Sequence, residues 1–431
     1  MPDPMVLRHA RLVDPVNGID EIRDLGIAEG VIVPAGSIPH ATVIDLSGLV
    51  LAPGFIDLHV HLREPGQTHK EDILSGTRAA AAGGFATVVA MPNTVPPVDT
   101  PAVLADLTAR IAACAVVRVL QTAALTAGRA GTTLTDAQAL KQAGACALTD
   151  DGSCVQDAPL MLRALAGART AGLPVLEHCE DAAFAAGGVM HLGEWSRRLG
   201  LPGQSRLSEE LVVARDIALA QEAGWGVHFQ HLSSAGSVAE VRAAQARGIP
   251  VTAEATPHHL CLTDGACLEY GTNAKVNPPL RSETDRQAVI RGLQDDTICV
   301  IATDHAPHSP EEKQTGLAGA PFGVIGLESA VPVCLTALYH TGRLSLSQFV
   351  AKFTAGPRKV MGIGTDSLEP GAPADVTVLD LAAATVIDCN RFHSRSRNCP
   401  FAGWNCRGKP VATMVGGRWV FSEVPGLLGL L

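Results

Sequence analysis

At 431 residues, 18% of them charged and with a net charge of −10, the chain can bury a large core and carries no basic cluster for nucleic acid or an anionic membrane. Mean hydropathy is +0.20, yet no run of about 18 uninterrupted apolar residues occurs, so no membrane span is expected. Eleven cysteines, an odd number without any CxxC spacing, read as reduced and mostly buried thiols. The opening MPDPMVLRHARLVDP lacks a charged-then-apolar leader, and a cytoplasmic location is expected.

The first fifty residues alternate short β-type runs with turns (LRHARLVDP, DLGIAEGVIV, ATVIDLSG), as in a small antiparallel unit. From Leu51 the pattern becomes apolar strand, polar turn and helix, repeated. The candidate strands are FIDLHVHL, FATVVAMPN, VVRVLQTAAL, ACALTDDG, LPVLEHCED, WGVHFQHLSS, IPVTAEATPHHL and TICVIATDHAPH. Alanine-rich helical stretches lie between them, such as Thr100 to Cys114, Asp157 to Ala171 and Leu207 to Ala223. About eight βα units of roughly 25 to 50 residues predict an α/β chain with a (β/α)₈ TIM-type barrel. From about Thr365 the β pattern returns (PADVTVLDL, ATVIDCN, VATMVGGRWVF), with turns that let these runs pair with the N-terminal ones. The expected organisation is a catalytic barrel over 53–364 inserted in a small composite β-sandwich made of 1–52 and 365–431. The closing VPGLLGLL carries no signal that decides between packing and disorder.

His59 and His61 end the first barrel strand of GFIDLHVHLREPG. Two apart, they share a face, and Arg63 follows on it. An isolated HxH is commonplace; here further ligand types stand at later strand ends. They are Asp150 and Asp151 in TDDG, His178 in EHCED, His231 in HFQHLSS and Asp304 in ATDHAPH. Imidazole and carboxylate without thiolate suit Zn²⁺, with Mn²⁺ or Co²⁺ as substitutes. Six such groups exceed what one catalytic zinc takes and suit two ions sharing a bridging carboxylate. Asp151 is preferred to Asp150 on position. His231 is preferred to His228, which lies three residues away on the opposite face. His258, His259 and His305 read as buried hydrogen-bonding residues, His69 and His191 as loop residues, and Cys179 points away from His178.

The pieces HVHLREPG, MPNTVPPVD, TDDGSCV, EHCED, HLSS, KVNPPLR, ATDHAPH and PFGVIGLE closely resemble the dihydroorotase family, long bacterial type, of the amidohydrolase superfamily. The resemblance runs from about Leu51 to Phe401 and extends to the N-terminal strands and the PGAPADV entry to the C-terminal unit. It implies that His59 and His61 bind one zinc with Asp304 near or on it, that His178 and His231 bind the second, and that Asp151 bridges. Hydantoinases and allantoinases bridge with a carboxylated lysine instead. It further implies substrate contacts from Arg63, Asn93, Asn277 and His308, with backbone groups at Phe322 and Gly323, and Asp304 as the catalytic proton carrier.

The implied reaction is reversible cyclisation of N-carbamoyl-L-aspartate to dihydroorotate by a binuclear zinc hydroxide mechanism. Charge supports it. Two Zn²⁺ carry four positive charges, and Asp151, Asp304 and a hydroxide remove three, which with Arg63 favours a carboxylate substrate. Against these roles stand plainer ones: an ion pair of Arg63 with Glu64 or Glu71, and turn formation by Asn93 and Asn277 beside prolines. Residues 309–321 (SPEEKQTGLAGAP) read as a lid or as an ordinary surface loop. The rival functions are a hydantoinase or allantoinase and a non-catalytic scaffold of aspartate carbamoyltransferase. A homo-oligomer is expected, and an active complex with that transferase is compatible with the resemblance.

Overall fold

The computed structural model describes residues 3–363 and 367–430; the expected boundary at 364/365 and the final Leu431 lie outside the described residues. The strand Phe55–Val60 is buried at every position, the signature of a parallel strand covered on both faces. It pairs in parallel with Phe85–Ala90, which pairs in parallel with Arg118–Gln121. Parallel bridges then lead from Ala123 to Leu148 and from Leu148 to Val175. Val175–Glu177, Val227–Phe229, Val251–Ala255 and Val300–Ile301 continue the parallel series. A last parallel bridge joins His305 to Val60, so the pairing returns to its first member.

The segment ACALTDDG contributes bridges rather than a strand. At its end the Asp151 N–H turns to Thr149 Oγ1 (3.0 Å), and the Asp150 carboxylate accepts the Thr126 N–H (3.0 Å). The helices follow the sequence closely. Pro101–Cys114 starts at Thr100, Ala158–Ala171 starts at Asp157, and each cap accepts an N–H from the first turn. Leu207–Ala223 stops at Gly224, whose φ of 59° suits glycine.

Both chain ends enter one six-stranded sheet, in the order Arg418–Ser422, Asn405–Val415, Val376–Val386, Val50–Pro53, Arg11–Asp14 and Ile19–Ile22. A four-stranded sheet holds Val31–Val33, Leu25–Ala28, Met5–Arg8 and Thr42–Asp45. The N-terminal unit is mixed, not purely antiparallel: Met5–Arg8 runs parallel to Thr42–Asp45, and Arg11–Asp14 parallel to Val50–Pro53. The cause is a change of sheet between Arg8 and Arg11, at His9 with φ 61°, which prevents a simple hairpin. Leu7, Leu12, Ile27, Val376, Met414 and Trp419 share one apolar cluster. Leu427, in the 3₁₀ turn Pro425–Leu430, is packed into the same cluster, which answers the open question for that residue of the tail. Among the described residues no helix is long and apolar enough to cross a membrane, and all eleven thiols are free.

Candidate metal centre and substrate cavity

Two buried trios share Asp151: His59, His61 and Asp151, then Asp151, His178 and His231, each with ligand atoms within 4.8 Å of one another. His59 Nε2 lies 3.2 Å from Asp151 Oδ1 and His61 Nε2 3.6 Å from Asp151 Oδ2. On the other side His178 Nδ1 and His231 Nε2 are 2.9 Å apart, at 3.8 and 4.0 Å from Asp151 Oδ1. Asp304 stands beside the first trio, with Oδ1 3.0 Å from His61 Nε2 and 3.5 Å from His59 Nε2. The donor set fits divalent cations. His59 Nε2 is buried with no hydrogen-bond partner although it faces Asp151, which is the signature of a nitrogen reserved for an ion. Burial alone would raise the Asp151 carboxyl, but His59, His61 and His178 outweigh it and hold it well below the usual carboxylate range.

The imidazoles are held from behind. His59 Nδ1 meets Glu254 Oε1 at 2.9 Å, and His61 Nδ1–H donates to Asn93 Oδ1 at 2.9 Å. His178 Nε2 lies near Asn277 Nδ2 (3.4 Å) and Glu180 Oε2 (3.8 Å). Arg63, His231 and Asp304 adopt positive φ values of 60°, 33° and 47°. Such non-glycine conformations cost about 1–3 kcal/mol each and concentrate where function fixes a side chain.

Arg63, Asn93, Asn277, His308, Phe322 and Gly323 line one cavity of about 330 Å³ together with His61, Asp151 and Asp304. His59, His178 and His231 complete the metal side; of these only His59 lies beneath the cavity floor. The ion-pair alternative for Arg63 is overturned. Glu64 is taken by Arg110 and Glu71 by His305, and among the described residues no carboxylate pairs with Arg63. Its guanidinium is buried, which pushes it down to about 10, and Nε–H donates only to the Pro307 carbonyl (3.1 Å). Asn93 and Asn277 are more than turn formers: one bonds His61, the other donates from Nδ2 to Glu180 Oε2 at 2.6 Å.

The far wall is main chain. Gly323 has φ 125°, and a Cβ there would sit 2.7 Å from the Ala306 Cβ, so only glycine brings the backbone this close. Its N–H donates to the Lys275 carbonyl (2.9 Å) and its carbonyl accepts from Lys313 Nζ (2.9 Å) and Asn398 Nδ2 (3.1 Å). Lys313 also donates to the Pro321 carbonyl (3.0 Å), and Lys275 Nζ to the Ala320 carbonyl (2.6 Å). Residues 309–321 thus contain two short helices, Pro310–Lys313 and Gly316–Gly319, tied down by two lysines and by a Lys70–Glu312 ion pair of 2.8 Å. Burial, with Lys275 adding to it, brings Lys313 down to about 7.

The competitors fall elsewhere. Asp150 is bound to Thr126, His228 to Thr252 and Glu254, His259 to Thr256 and the Pro278 carbonyl, and His305 to Glu71. His258 is buried with Nε2 unpartnered, and His69 lies in an exposed turn. His191 is no loop residue: it belongs to the short strand Met190–His191, paired with Gly203–Gln204. A larger cavity of about 890 Å³, floored by Val175, Val227 and Val251, opens at the opposite ends of the strands, away from both trios. Glu254, Glu180, Lys275, Lys313 and Asn398 were not anticipated. A glutamate inside the apolar strand VTAEA was the one available signal, since a buried charge there demands a partner.

A family profile described as Dihydro-orotase-like matches residues 48–237. The dihydroorotase of Pelotomaculum thermopropionicum is 49% identical over 425 residues, covering 97% of this chain and 99% of its own. This chain belongs to the dihydroorotase family. The dihydroorotase of Geobacillus sp. (strain WCH70) is 48% identical over 94% of this chain and 96% of its own. Among solved structures, the L-hydantoinase (dihydropyrimidinase) from Arthrobacter aurescens superposes with a TM-score of 0.88 at 26% identity, covering 98% of this chain and 97% of that one. The dihydropyrimidinase from Brevibacillus agri NCHU1002 gives 0.85 at 22% identity over 97% and 95%, a shared fold. This dihydroorotase-family chain is therefore a metal-dependent cyclic amidohydrolase, built on the fold those hydantoinases display.

Proposed function

We propose that the chain catalyses the reversible cyclisation of N-carbamoyl-L-aspartate to (S)-dihydroorotate plus water in pyrimidine biosynthesis. The observation that carries this is Arg63, a buried guanidinium without a carboxylate partner facing a cavity that holds both ligand trios. A buried cation left unpaired calls for an anionic ligand. The closed parallel circuit supports a (β/α)₈ barrel over 53–364, and the shared six-stranded sheet supports a composite β-sandwich of 1–52 and 365–431.

His59 and His61 would hold one zinc, His178 and His231 a second, with Asp151 between them and Asp304 beside the first. Such ions supply a water whose pKa is lowered toward neutrality and a polarised ring carbonyl. Arg63, Asn93 and His308 orient the substrate carboxylate, Asn277 supports it from the His178 side, and the Phe322 and Gly323 backbone borders the ring. In hydrolysis Asp304 Oδ1 accepts the proton of the attacking water and delivers it to the departing ring nitrogen. Ring closure retraces this path: Asp304 takes the ureido N–H proton and returns it to the departing oxygen, which leaves as water with a second proton drawn from solvent.

The hydantoinase reading draws on fold similarity, but a neutral ring gives Arg63 no partner. The scaffold reading has no support in a site where both trios are complete. The test is turnover of N-carbamoyl-L-aspartate and of a neutral dihydropyrimidine by one sample with measured metal content. Ring closure with about two ions per chain is expected. Turnover of the neutral ring alone would overturn the assignment.

A further inference from the structure

Beneath the candidate ions, and outside the residues that line the cavity, lies Glu254 on the strand Val251–Ala255, with 0% exposure. Its Oε1 is 2.9 Å from His59 Nδ1 and accepts the backbone N–H of His231 at 3.3 Å. Its Oε2 is 3.1 Å from His228 Nε2, and His228 Nδ1 is 2.9 Å from Thr252 Oγ1. One carboxylate therefore contacts a member of each trio, a ring in one and a main-chain amide in the other. Of the two histidines Glu254 does not touch, His61 is backed by a neutral amide instead, Asn93.

We propose that Glu254 is the positioning residue that couples the two halves of the metal centre, with His228 as its anchor. This rests on the assignment of His59 and His231 as metal ligands. A carboxylate at His59 Nδ1 keeps the proton on that nitrogen and turns the Nε2 lone pair toward Asp151, where that atom is buried without a partner. The same carboxylate holds the N–H of His231 at the residue whose φ of 33° swings its ring toward His178. A left-handed histidine persists only where its surroundings over-determine it, and Glu254 supplies one of those restraints. His228 Nε2 meets the other oxygen of Glu254 at 3.1 Å, which opposes rotation of the carboxylate away from His59. Because Glu254 reaches no cavity surface, it acts on the reaction solely through the ligands it holds.

The experiment is stepwise zinc titration of the full-length metal-free protein against a competing chelator, with thermal melts of the metal-free and loaded forms. Glu254→Gln keeps the shape but places an amide N–H₂ against either the His228 ring or the His231 N–H. Both zinc steps are expected to weaken about 10–100-fold, and the thermal shift on loading to shrink, while Asn93→Ala weakens only the step assigned to His59 and His61. His228→Gln loosens the anchor and gives a smaller loss in both steps; it serves as the reading if Glu254→Gln does not fold. Unchanged affinity in the variant that folds would overturn the proposal, as would a loss confined to one step. Failure of the parent protein to bind zinc at all would instead overturn the ligand assignment.

Discussion

The two walls of the cavity are built on opposite plans. On the metal side the working groups are side chains at strand ends, each fixed by another side chain: buried Glu254 for His59, and half-buried Asn93 for His61 and Glu180 near His178. On the substrate side the Phe322–Gly323 wall is main chain, fixed from behind by Lys275, Lys313 and Asn398. A metal tolerates little displacement of its ligands, so rigid strands carry them. An organic ring is bordered by a loop whose carbonyls are drawn back onto lysine amino groups, which leaves the wall closed yet dependent on a few hydrogen bonds. Changes on the metal side should therefore move metal content and turnover together, whereas changes on the other side should act on the substrate and leave metal content in place.

The largest expected break is Asp151→Asn, which removes the one carboxylate common to both trios. Metal content should fall below two ions per chain and turnover by more than the 10–100-fold typical of a partner behind a ligand. Elemental analysis with ring-closure kinetics checks this, and full activity with one ion would remove the bridging role. Asp304→Asn should lower turnover on the order of 10²-fold or more. Because Asp304 touches the first trio, the loss counts as a proton-transfer defect only if metal content is kept, and a near-normal rate would assign the proton to another group.

Arg63→Met sharpens the contrast from the substrate side. Loss of a charge-assisted pair in a closed site costs about 2 to 5 kcal/mol. Dihydroorotate turnover should fall accordingly with both ions retained, while any slow hydrolysis of a neutral ring stays level; equal loss for both substrates would return Arg63 to a structural role. Lys313→Met is the smallest. Two hydrogen bonds of about 1 kcal/mol each set an upper bound of about thirtyfold on the rise in KM, with kcat kept.

Lys313 also carries a pH signature. Its folded value of about 7 lies below the ordinary 10.5, so between these limits the unfolded chain binds more protons and stability rises with pH. Denaturant titrations at pH 7 and 9 should show the parent gaining on Lys313→Met toward the higher pH. A parallel pair of curves would mean that Lys313 is not depressed.

The difference between the walls also marks what was legible in the sequence. A ligand at a strand end is announced locally, by an imidazole after an apolar run, and spacing by two put His59 and His61 on one face. The helices at Pro101–Cys114 and Leu207–Ala223 were equally local, written in alanine-rich runs, a threonine cap and a glycine stop. The partners behind these elements were not. Asn398 bonds Gly323 across 75 residues and Glu254 meets His59 across 195, and no periodicity encodes such meetings. ACALTDDG looked like a full strand, but only its middle pairs: Cys146, Leu148 and Thr149 N–H donate to the main chain of Gln121, Pro174 and Ala123, while the Asp151 N–H turns to Thr149 Oγ1. The mixed N-terminal sheets stayed hidden because His9, in a left-handed conformation, changes sheets without a glycine to announce it.

The strand that delivers His59 and His61 is entered from Val50–Pro53, whose antiparallel neighbour is Val376–Val386, and Phe55 N–H donates to Thr377 across 322 residues. During synthesis at about 5–20 residues per second, that neighbour follows the histidine pair by roughly 15 to 60 s. Throughout that interval the strand Phe55–Val60, buried at every position in the fold, waits with one edge of its lead-in bare, in a nascent chain that has already released both imidazoles. The lead-in to the histidine pair is thus made 322 residues before the strand it bonds. A ribosome that stalls or terminates early leaves a product with an unpaired, aggregation-prone edge rather than a smaller working enzyme.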